Sequence, residues 1–279
     1  MNETIIEWTD RTWNPASGCR KISAGCKHCY ASTLAENKRG TAAFPRGFEL
    51  TLRPHKLLEP LSLTAPAKIF VNSMSDLFFD EIPTSYVEKV WRVMCATPWH
   101  IFQLLTKRPQ RMAAFLESRV VPDHIWVGTT IENQAAASRA DVLRGIAAKH
   151  RFVSAEPLIS PLRLNLSGID WLIVGGESGS HLLDPATREV RSIAELADGK
   201  WIPRKLCIPW VRTLRDEAVS SGVAFFFKQW GGTRPGSAGS TIDGAKWKQF
   251  PPQGEASSTM PSRGDRLRVR TSLAATLHT

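Results

Sequence analysis

Six short apolar segments recur along the chain, and each becomes polar at its carboxyl end. They begin near residues 69, 101, 125, 152, 171 and 224, and they are rich in β-branched and aromatic residues. Strands of a parallel sheet are apolar on both faces, because helices cover both sides of such a sheet. The pattern therefore predicts six parallel strands.

Segments with helical periodicity separate most of these strands. One spans residues 83–97, where Ser85 and Glu88 predict a capping box, and two others span residues 133–150 and 209–222. A further short strand is expected around residues 11–15, ending at Asn14-Pro15 because proline disfavours continuing a ladder. The alternation predicts an α/β fold, a complete or partial (β/α) TIM-type barrel.

The same pattern suggests how the chain is divided. Residues 1–252 are expected to form a single barrel domain, with an insertion at about residues 180–206 in which Asp198-Gly199 predicts a hairpin turn. Residues 253–279 are rich in Ser, Thr, Ala and Arg, and we expect a disordered basic tail there. The sequence shows neither a signal-peptide pattern nor an apolar stretch long enough to cross a membrane, so we expect a cytoplasmic protein.

Polar residues follow all six predicted strands. In parallel α/β folds ligands bind outside the carboxyl ends of the strands, so six polar strand ends together predict an active-site mouth. The residues concerned are Asn72, Ser73, Asp76, Thr106, Lys107, Arg108, Thr129, Glu132, Ser154, Glu156, Gly175, Gly176, Glu177, Lys228, Gln229 and Trp230.

The net charge of the chain indicates what kind of partner the predicted active-site mouth would bind. The chain has 36 Lys and Arg against 26 Asp and Glu, a net charge of +10, which favours a polyanionic partner such as nucleic acid. Lys107, Arg108 and Lys228 are expected to face an anionic substrate, unless they pair with Glu156 or Glu132. Trp230 either stacks on a base or packs in the core.

Three of the five cysteines, Cys19, Cys26 and Cys29, lie within eleven positions. In a reducing compartment such a group more often binds metal or performs catalysis than forms disulfides. A structural zinc ion needs a fourth ligand, and His28 lies awkwardly between two of the cysteines. A redox Cys-x-x-Cys pair leaves Cys19 without a role, and three buried cysteines are improbable at this density. An iron–sulfur cluster held by three thiolates would keep one iron open.

The segment "CKHC" resembles the last cysteine pair of the radical S-adenosylmethionine (radical SAM) enzymes, with His28 at the usual aromatic position; the first gap, six residues, is longer than the common one. A wider resemblance runs from about residue 5 to 252. The blocks "IEWTDRTWNPASGC", "GCKHCYA", "FVNSMSDLF", "QLLTKRP", "SAEPL", "IVGGESG" and "FFFKQWGG" are similar to an uncharacterised phage-associated family with a three-cysteine motif, usually regarded as radical-SAM-like.

The resemblance implies a [4Fe–4S] cluster, held near the N-terminus in a loop of the barrel by Cys19, Cys26 and Cys29. It also implies S-adenosylmethionine as cofactor, reductive cleavage of its carbon–sulfur bond, an electron donor, and a substrate that we expect to be a nucleic acid or nucleotide. The alternatives are a non-catalytic zinc-bearing nucleic-acid-binding protein and a cluster protein without S-adenosylmethionine binding. The residues expected at the cofactor are His28, Asn72, Ser73, Asp76, Glu156, Gly175, Gly176 and Glu177.

Overall fold

The structure, a computed structural model, describes residues 1–252 and 259–277. Its strands are β1 (Asn2–Glu3), β2 (Arg11–Trp13), β3 (Ala16–Ser17), β4 (Thr51–Leu52), β5 (Lys68–Val71), β6 (Ile101–Thr106), β7 (Ile125–Thr130), β8 (Arg151–Ala155), β9 (Trp171–Gly175), β10 (Ala194–Ala197), β11 (Lys200–Pro203), β12 (Ala224–Gln229), β13 (Thr241–Ile242) and β14 (Ala245–Lys246). Its α-helices are α1 (Tyr30–Glu36), α2 (Thr84–Cys95), α3 (Pro109–Leu116), α4 (Arg139–Arg144), α5 (Pro185–Arg191), α6 (Ile208–Ser220) and α7 (Arg263–Leu277).

One sheet organises the molecule, with the strand order β1-β2-β5-β6-β7-β8-β9-β12. The seven strands from β2 to β12 are parallel, and only β1 runs antiparallel to its neighbour. The six strands predicted from apolar segments are all present, and the short strand expected before Asn14-Pro15 is β2. The carboxyl ends of these strands therefore meet at one edge of the sheet.

The sheet is a partial barrel. Within the described residues its edge strands β1 and β12 do not pair with each other. The sheet nevertheless curls, because the Trp8 ring packs on Phe70 of β5 at 4.8 Å and on Trp171 of β9 at 6.2 Å between ring centroids. Residues 247–249 cover the edge of β12, where the Phe227 N–H donates to the Trp247 carbonyl at 2.8 Å. Of the two barrel forms expected from the sequence, the partial one is confirmed.

The two faces of the sheet have separate cores. On the concave face a compact group of aromatic side chains includes Trp8, Trp126, Phe152 and Trp171. On the convex face a larger core is formed with the helices, and Val90 of α2 and Leu214 of α6 are fully buried in it. Strands buried on both faces explain the continuous apolar segments of the sequence.

Two local predictions are corrected and one is confirmed. The capping box at Ser85 is wrong, because α2 follows Pro83 and has no side-chain cap. The helix expected over 133–150 is only a 3₁₀ turn followed by α4. In the insertion, β10 and β11 form the expected hairpin, and Asp198 and Gly199 turn the chain with φ angles of 49° and 74°.

The prediction of a disordered basic tail is wrong for residues 263–277, which form α7. Leu273 and Leu277 are buried there, and the Lys89 ammonium of α2 donates to the Leu277 carbonyl at 2.5 Å. Two leucines four residues apart supply one apolar stripe, which the Ser, Thr and Arg content of the segment conceals. The rest of the predicted tail lies partly outside the described residues. In the part of the chain that is described, no helix has the length and apolar character needed to cross a membrane.

Candidate functional site

Four acidic residues stand at the carboxyl edge of the sheet. Asp76 follows β5, Glu132 follows β7, Glu156 follows β8 and Glu177 follows β9. All four side chains are largely enclosed, with Glu132 fully buried. Buried carboxylates are costly unless they are paired or hydrogen-bonded, so the partners of each acid define what this edge does.

The three clustered cysteines lie on residues 18–32, which we call the cysteine segment, directly after β3. The segment starts at Gly18, whose φ of 91° and whose close approach to the Glu49 backbone exclude a side chain. The Gly18 N–H donates to the Met74 carbonyl at 3.0 Å, in the loop after β5. Cys26 ends a 3₁₀ turn and Cys29 precedes α1. All three cysteines are free thiols that are partly buried.

Three strand-end acids attach the cysteine segment to the sheet. Glu132 accepts a hydrogen bond from the Gly25 N–H at 3.1 Å. Glu177 forms a two-pronged ion pair with Arg191, at 2.6 and 2.8 Å, and Arg191 also donates to the Ala24 carbonyl at 3.1 Å.

The third attachment runs from Asp76 through Arg108 to Cys19. Arg108 pairs with Asp76 at 3.2 Å and donates to the Cys19 sulfur at 3.6 Å and to the Arg20 carbonyl at 3.1 Å. The burial of Cys19 and the Asp76 carboxylate raise the pKa of the Cys19 thiol, while Arg108 opposes this rise. Asp76 and Glu177, two of the acids that the sequence nominated for cofactor binding, thus hold the cysteine segment through arginines.

Glu156 is the strand-end acid that does not contact the cysteine segment. Its carboxylate accepts hydrogen bonds from the Trp8 indole N–H and the Ser154 hydroxyl, both at 3.2 Å. The Lys228 ammonium lies 3.1 Å from its other oxygen. Lys228 therefore pairs with Glu156. In the sequence analysis this pairing is the alternative to contact with an anionic substrate.

The three basic residues predicted at the mouth have different surroundings. Arg108 is 8% exposed and is paired with Asp76, and Lys228 is paired with Glu156. Lys107 is partly buried; within the described ranges its ammonium has no ion pair within 4 Å and no hydrogen bond, but its charge acts on the Glu132 carboxylate. Lys107 is thus the cation of the three that remains available to an anionic ligand.

Asn72 and Ser73 lie at the end of β5. The Asn72 amide is buried, and neither its oxygen nor its nitrogen has a hydrogen-bond partner among the described residues. The Ser73 hydroxyl bonds to the Asn14 amide at 3.1 Å, and the Tyr30 hydroxyl donates to the Ser73 carbonyl at 2.6 Å. A buried amide without partners is uncommon, and ligand recognition is one explanation for it.

Of the two glycines nominated from the sequence, Gly176 packs against Trp230 and Gly175 packs against Glu156. A Cβ on Gly176 would lie 2.0 Å from the Trp230 carbonyl oxygen, and one on Gly175 would lie 3.0 Å from Glu156 Oε1. Trp230 is buried, and its indole N–H donates to the Thr241 carbonyl at 2.8 Å. The structure therefore gives Trp230 the core-packing role, and the glycines leave room for the protein's own chain.

His28 stacks on His181 of the insertion, with ring centroids 4.1 Å apart and planes 3° apart. Burial lowers the pKa of His28, and His181 and Arg191 lower it further. Sequence reasoning missed both His181 and Arg191, because nothing in the insertion marks these two residues as neighbours of the cysteine segment.

The positions of the His, Cys, Asp and Glu side chains bear on whether this edge of the sheet can hold a metal. Within the described residues, no three His, Cys, Asp or Glu side chains are placed so that they could hold a metal ion. A structural zinc ion needs its ligands around one centre, whereas cluster thiolates bind different irons. The three thiols are free and lie on one segment, but the described structure does not arrange them as a cluster site.

The chain belongs to a family designated DUF5131, described as a protein of unknown function, whose model matches residues 3–203 and 198–251. The expectation of an uncharacterised family is confirmed, and its phage association and radical SAM character stay predictions. No curated protein and no solved structure shows a significant match to the chain.

Proposed function

We propose that the protein is an iron–sulfur enzyme of radical SAM type that modifies a nucleic acid or nucleotide. One observation carries the proposal: three free thiols lie on one segment that is tied by Glu132, Arg108 and Arg191 to the carboxyl edge of an open parallel sheet. Ligands of parallel α/β folds bind at this edge.

Cys19, Cys26 and Cys29 would hold the [4Fe–4S] cluster. With an external electron donor, the cluster would supply the one-electron reduction that cleaves the carbon–sulfur bond of S-adenosylmethionine.

The chain's other residues position the reactants. Glu156 would accept the cofactor's amino group in addition to Trp8, Ser154 and Lys228, because among the described residues no arginine pairs with it, in contrast to Asp76 and Glu177. The Asn72 amide offers a free donor and a free acceptor to a polar edge of the cofactor or substrate. Lys107 attracts the phosphate of the substrate.

The test begins with anaerobically purified protein, in which iron and acid-labile sulfide are measured together with zinc. The iron-loaded protein is then incubated with S-adenosylmethionine and dithionite, and 5′-deoxyadenosine is detected by chromatography. We expect iron and slow release of 5′-deoxyadenosine. Cys19→Ala, Cys26→Ala and Cys29→Ala should each abolish both.

The matched controls are Cys95→Ala and Cys207→Ala, which remove thiols remote from the cysteine segment. Both should retain iron. Zinc without iron would favour the non-catalytic zinc-bearing alternative, and an iron protein that never yields 5′-deoxyadenosine would be a cluster protein without this reaction. Glu156→Gln should lower the release of 5′-deoxyadenosine while the iron content stays constant.

A further inference from the structure

The Asn72 side chain is a buried amide whose hydrogen-bonding groups are unused inside the protein. It is 2% exposed, and within the described residues neither its oxygen nor its nitrogen has a hydrogen-bond partner. An amide carries two N–H donors and one acceptor oxygen, so Asn72 can bind a single ligand edge through both kinds of group. Most buried polar side chains are paired, so an unpaired one at the carboxyl edge of a parallel sheet calls for a partner from outside the chain.

A second amide with a free oxygen lies on the neighbouring strand. Gln103 of β6 is fully buried, its nitrogen donates to the Trp8 carbonyl at 2.9 Å, and its oxygen has no partner among the described residues. Gln103 is in register with Phe70, which lies two residues before Asn72 and packs on the concave face. Since side chains two residues apart share one face of a strand, both amides belong to the concave face.

Tyr30 contacts the loop that follows β5 and presents an exposed ring. Its hydroxyl donates to the Ser73 carbonyl at 2.6 Å, and burial raises the pKa of this hydroxyl. Tyr30 as a whole is nevertheless 57% exposed, so the ring is the part in contact with water. The hydroxyl end of the ring lies at Ser73, the residue after Asn72. A planar group stacked on this ring therefore has one edge next to the loop that carries the Asn72 amide.

Water reaches the concave face next to Trp8. The Trp8 indole N–H donates to the Glu156 carboxylate at 3.2 Å, and Lys228 pairs with the same carboxylate. The side chains of Glu156 and Lys228 are 15% and 25% exposed, so this part of the sheet edge is open to solvent. A ligand that approaches from this edge meets the amides on one side and Tyr30 on the other.

We propose that Asn72 and Tyr30 bind an adenine base of a single-stranded nucleic acid. The base stacks on the Tyr30 ring, while its N6 amino group donates to the Asn72 oxygen and its N7 accepts from the Asn72 nitrogen. Asparagine contacts adenine in this two-point way, and aromatic rings stack on any base. The inference rests on the proposed function for the class of the substrate and names the base within it. It needs neither a metal group nor S-adenosylmethionine.

The experiment measures the binding of short single-stranded oligonucleotides to the full-length protein by fluorescence anisotropy at constant salt. Each strand carries one adenine, guanine or cytosine in an otherwise all-thymine sequence. We expect the adenine strand to bind about tenfold more tightly, because a two-point contact discriminates between bases by at least that factor. Equal affinity for all the strands would overturn the inference.

Variants test the two residues separately. Asn72→Asp exchanges the N–H donor for an oxygen that cannot donate to N7, so it should remove the preference for adenine, as should Asn72→Ala. The matched control is Asn37→Ala, which removes an exposed amide at the end of α1 and should keep the preference. Tyr30→Ala should weaken the binding of every strand about tenfold, and Tyr30→Phe, which keeps the ring, should weaken it less.

The preference for adenine is a ratio of two affinities within one protein preparation, so partial unfolding of a variant cannot imitate its loss. A preference that survives in both Asn72 variants would overturn the role of Asn72. Unchanged affinities in Tyr30→Ala would overturn the stacking.

Competition separates a substrate base from the adenine of the cofactor. Adenosine monophosphate should displace the adenine strand, and S-adenosylmethionine at the same concentration should not. Equal displacement by both would assign the site to the cofactor and overturn the inference. Iron content and release of 5′-deoxyadenosine test the proposed function independently. An iron-free protein that prefers adenine would contradict the proposed function alone, and an active iron protein without the preference would contradict the inference alone.

Discussion

Asp76 is a carboxylate whose whole hydrogen-bonding capacity is used inside the protein. It receives the Arg108 guanidinium and three further donors, and both side chains of the pair are about nine-tenths buried. Removing one partner of a buried ion pair leaves the other charge buried without a counter-ion, and this lowers the stability of the fold.

Asp76→Asn should therefore lower the free energy of unfolding by about 3 kcal/mol. Asp80→Asn is the matched control, because Asp80 lies 3.6 Å from the same guanidinium but its side chain is 77% exposed. Asp80→Asn should lower the free energy of unfolding by less than about 0.5 kcal/mol. Urea denaturation of both variants measures the difference, and equal losses would contradict the assignment.

His100 gives the protein a predictable response to acid. It is buried, its Nδ1 accepts from the Ala67 N–H at 3.2 Å, and its Nε2 lies 3.0 Å from the Pro60 carbonyl, an arrangement that requires the neutral ring. Burial, together with smaller effects of His124 and Arg266, lowers the pKa of His100 to about 4, although the hydrogen bond to the Pro60 carbonyl acts in the opposite direction.

Since the folded pKa lies below the ordinary value near 6.5, the stabilisation is complete above pH 6.5 and is lost as the pH falls through 4. The free energy of unfolding should drop by up to about 3 kcal/mol across that window. Denaturation curves at a series of pH values measure it. His100→Gln should have a flatter profile, and an unchanged slope in that variant would assign the effect to other groups.

At the scale of elements, α7 shows what a single apolar stripe contributes. Leu273 and Leu267 lie on the same helix, the first 9% exposed and the second 62% exposed. Leu273→Ala should lower the free energy of unfolding by about 2 kcal/mol, because it removes buried methyl groups. Leu267→Ala should lower it by less than about 0.5 kcal/mol, because that side chain is mostly in water. Thermal or urea unfolding of the two variants compares them directly, and similar losses would mean that α7 does not dock as described.

The cysteine segment and the insertion are coupled elements, since Arg191 at the end of α5 donates to the Ala24 carbonyl. Arg191→Ala should release the segment and speed tryptic cleavage at Lys21 and Lys27 severalfold. Arg188→Ala, on the same helix, removes contacts to Leu182 and Leu183 and should leave this cleavage rate unchanged. Mass spectrometry of the early fragments checks the sites.

These elements also show what a sequence can predict. Strands and long helices follow from apolar periodicity, so β5 to β9, β12, α2 and α6 were predictable. Acids at strand ends were predictable as a group, but their partners were not. Arg191 lies in an insertion with no periodic link to the cysteines, and an ion pair across 14 residues leaves no trace in local pattern. The α7 helix was missed because its partner surface, on α2, is distant in sequence.

At the scale of the whole molecule, the charge is unevenly distributed. Residues 20–53 contain seven Lys or Arg residues and two Glu, which is half of the net charge of +10. Exposed cations of this stretch lie on the cysteine segment or follow it in the chain, while the arginines of α7 lie on a helix that packs against α2. Only the first group adjoins the candidate site.

If the substrate is a nucleic acid, replacing Lys21, Lys27 and Lys38 by Gln should weaken its binding and reduce the salt dependence of log K by roughly 2. Replacing Arg263, Arg268 and Arg270 by Gln removes the same charge from α7 and should change binding little. Fluorescence anisotropy over a range of salt concentrations measures both. Equal effects would indicate attraction by net charge without a defined surface.

The attachments of the cysteine segment have a consequence for how the protein is made. Gly25 and Ala24 are held by residues 107 and 167 positions further along the chain. At a synthesis rate of about 5–20 residues per second, the three thiols are added to the chain roughly 8 to 33 seconds before Arg191 is. During that time the nascent chain carries sulfur nucleophiles with no structure around them. If these thiols bind a metal group as proposed, the surroundings of that group are complete only after Arg191 has been synthesised.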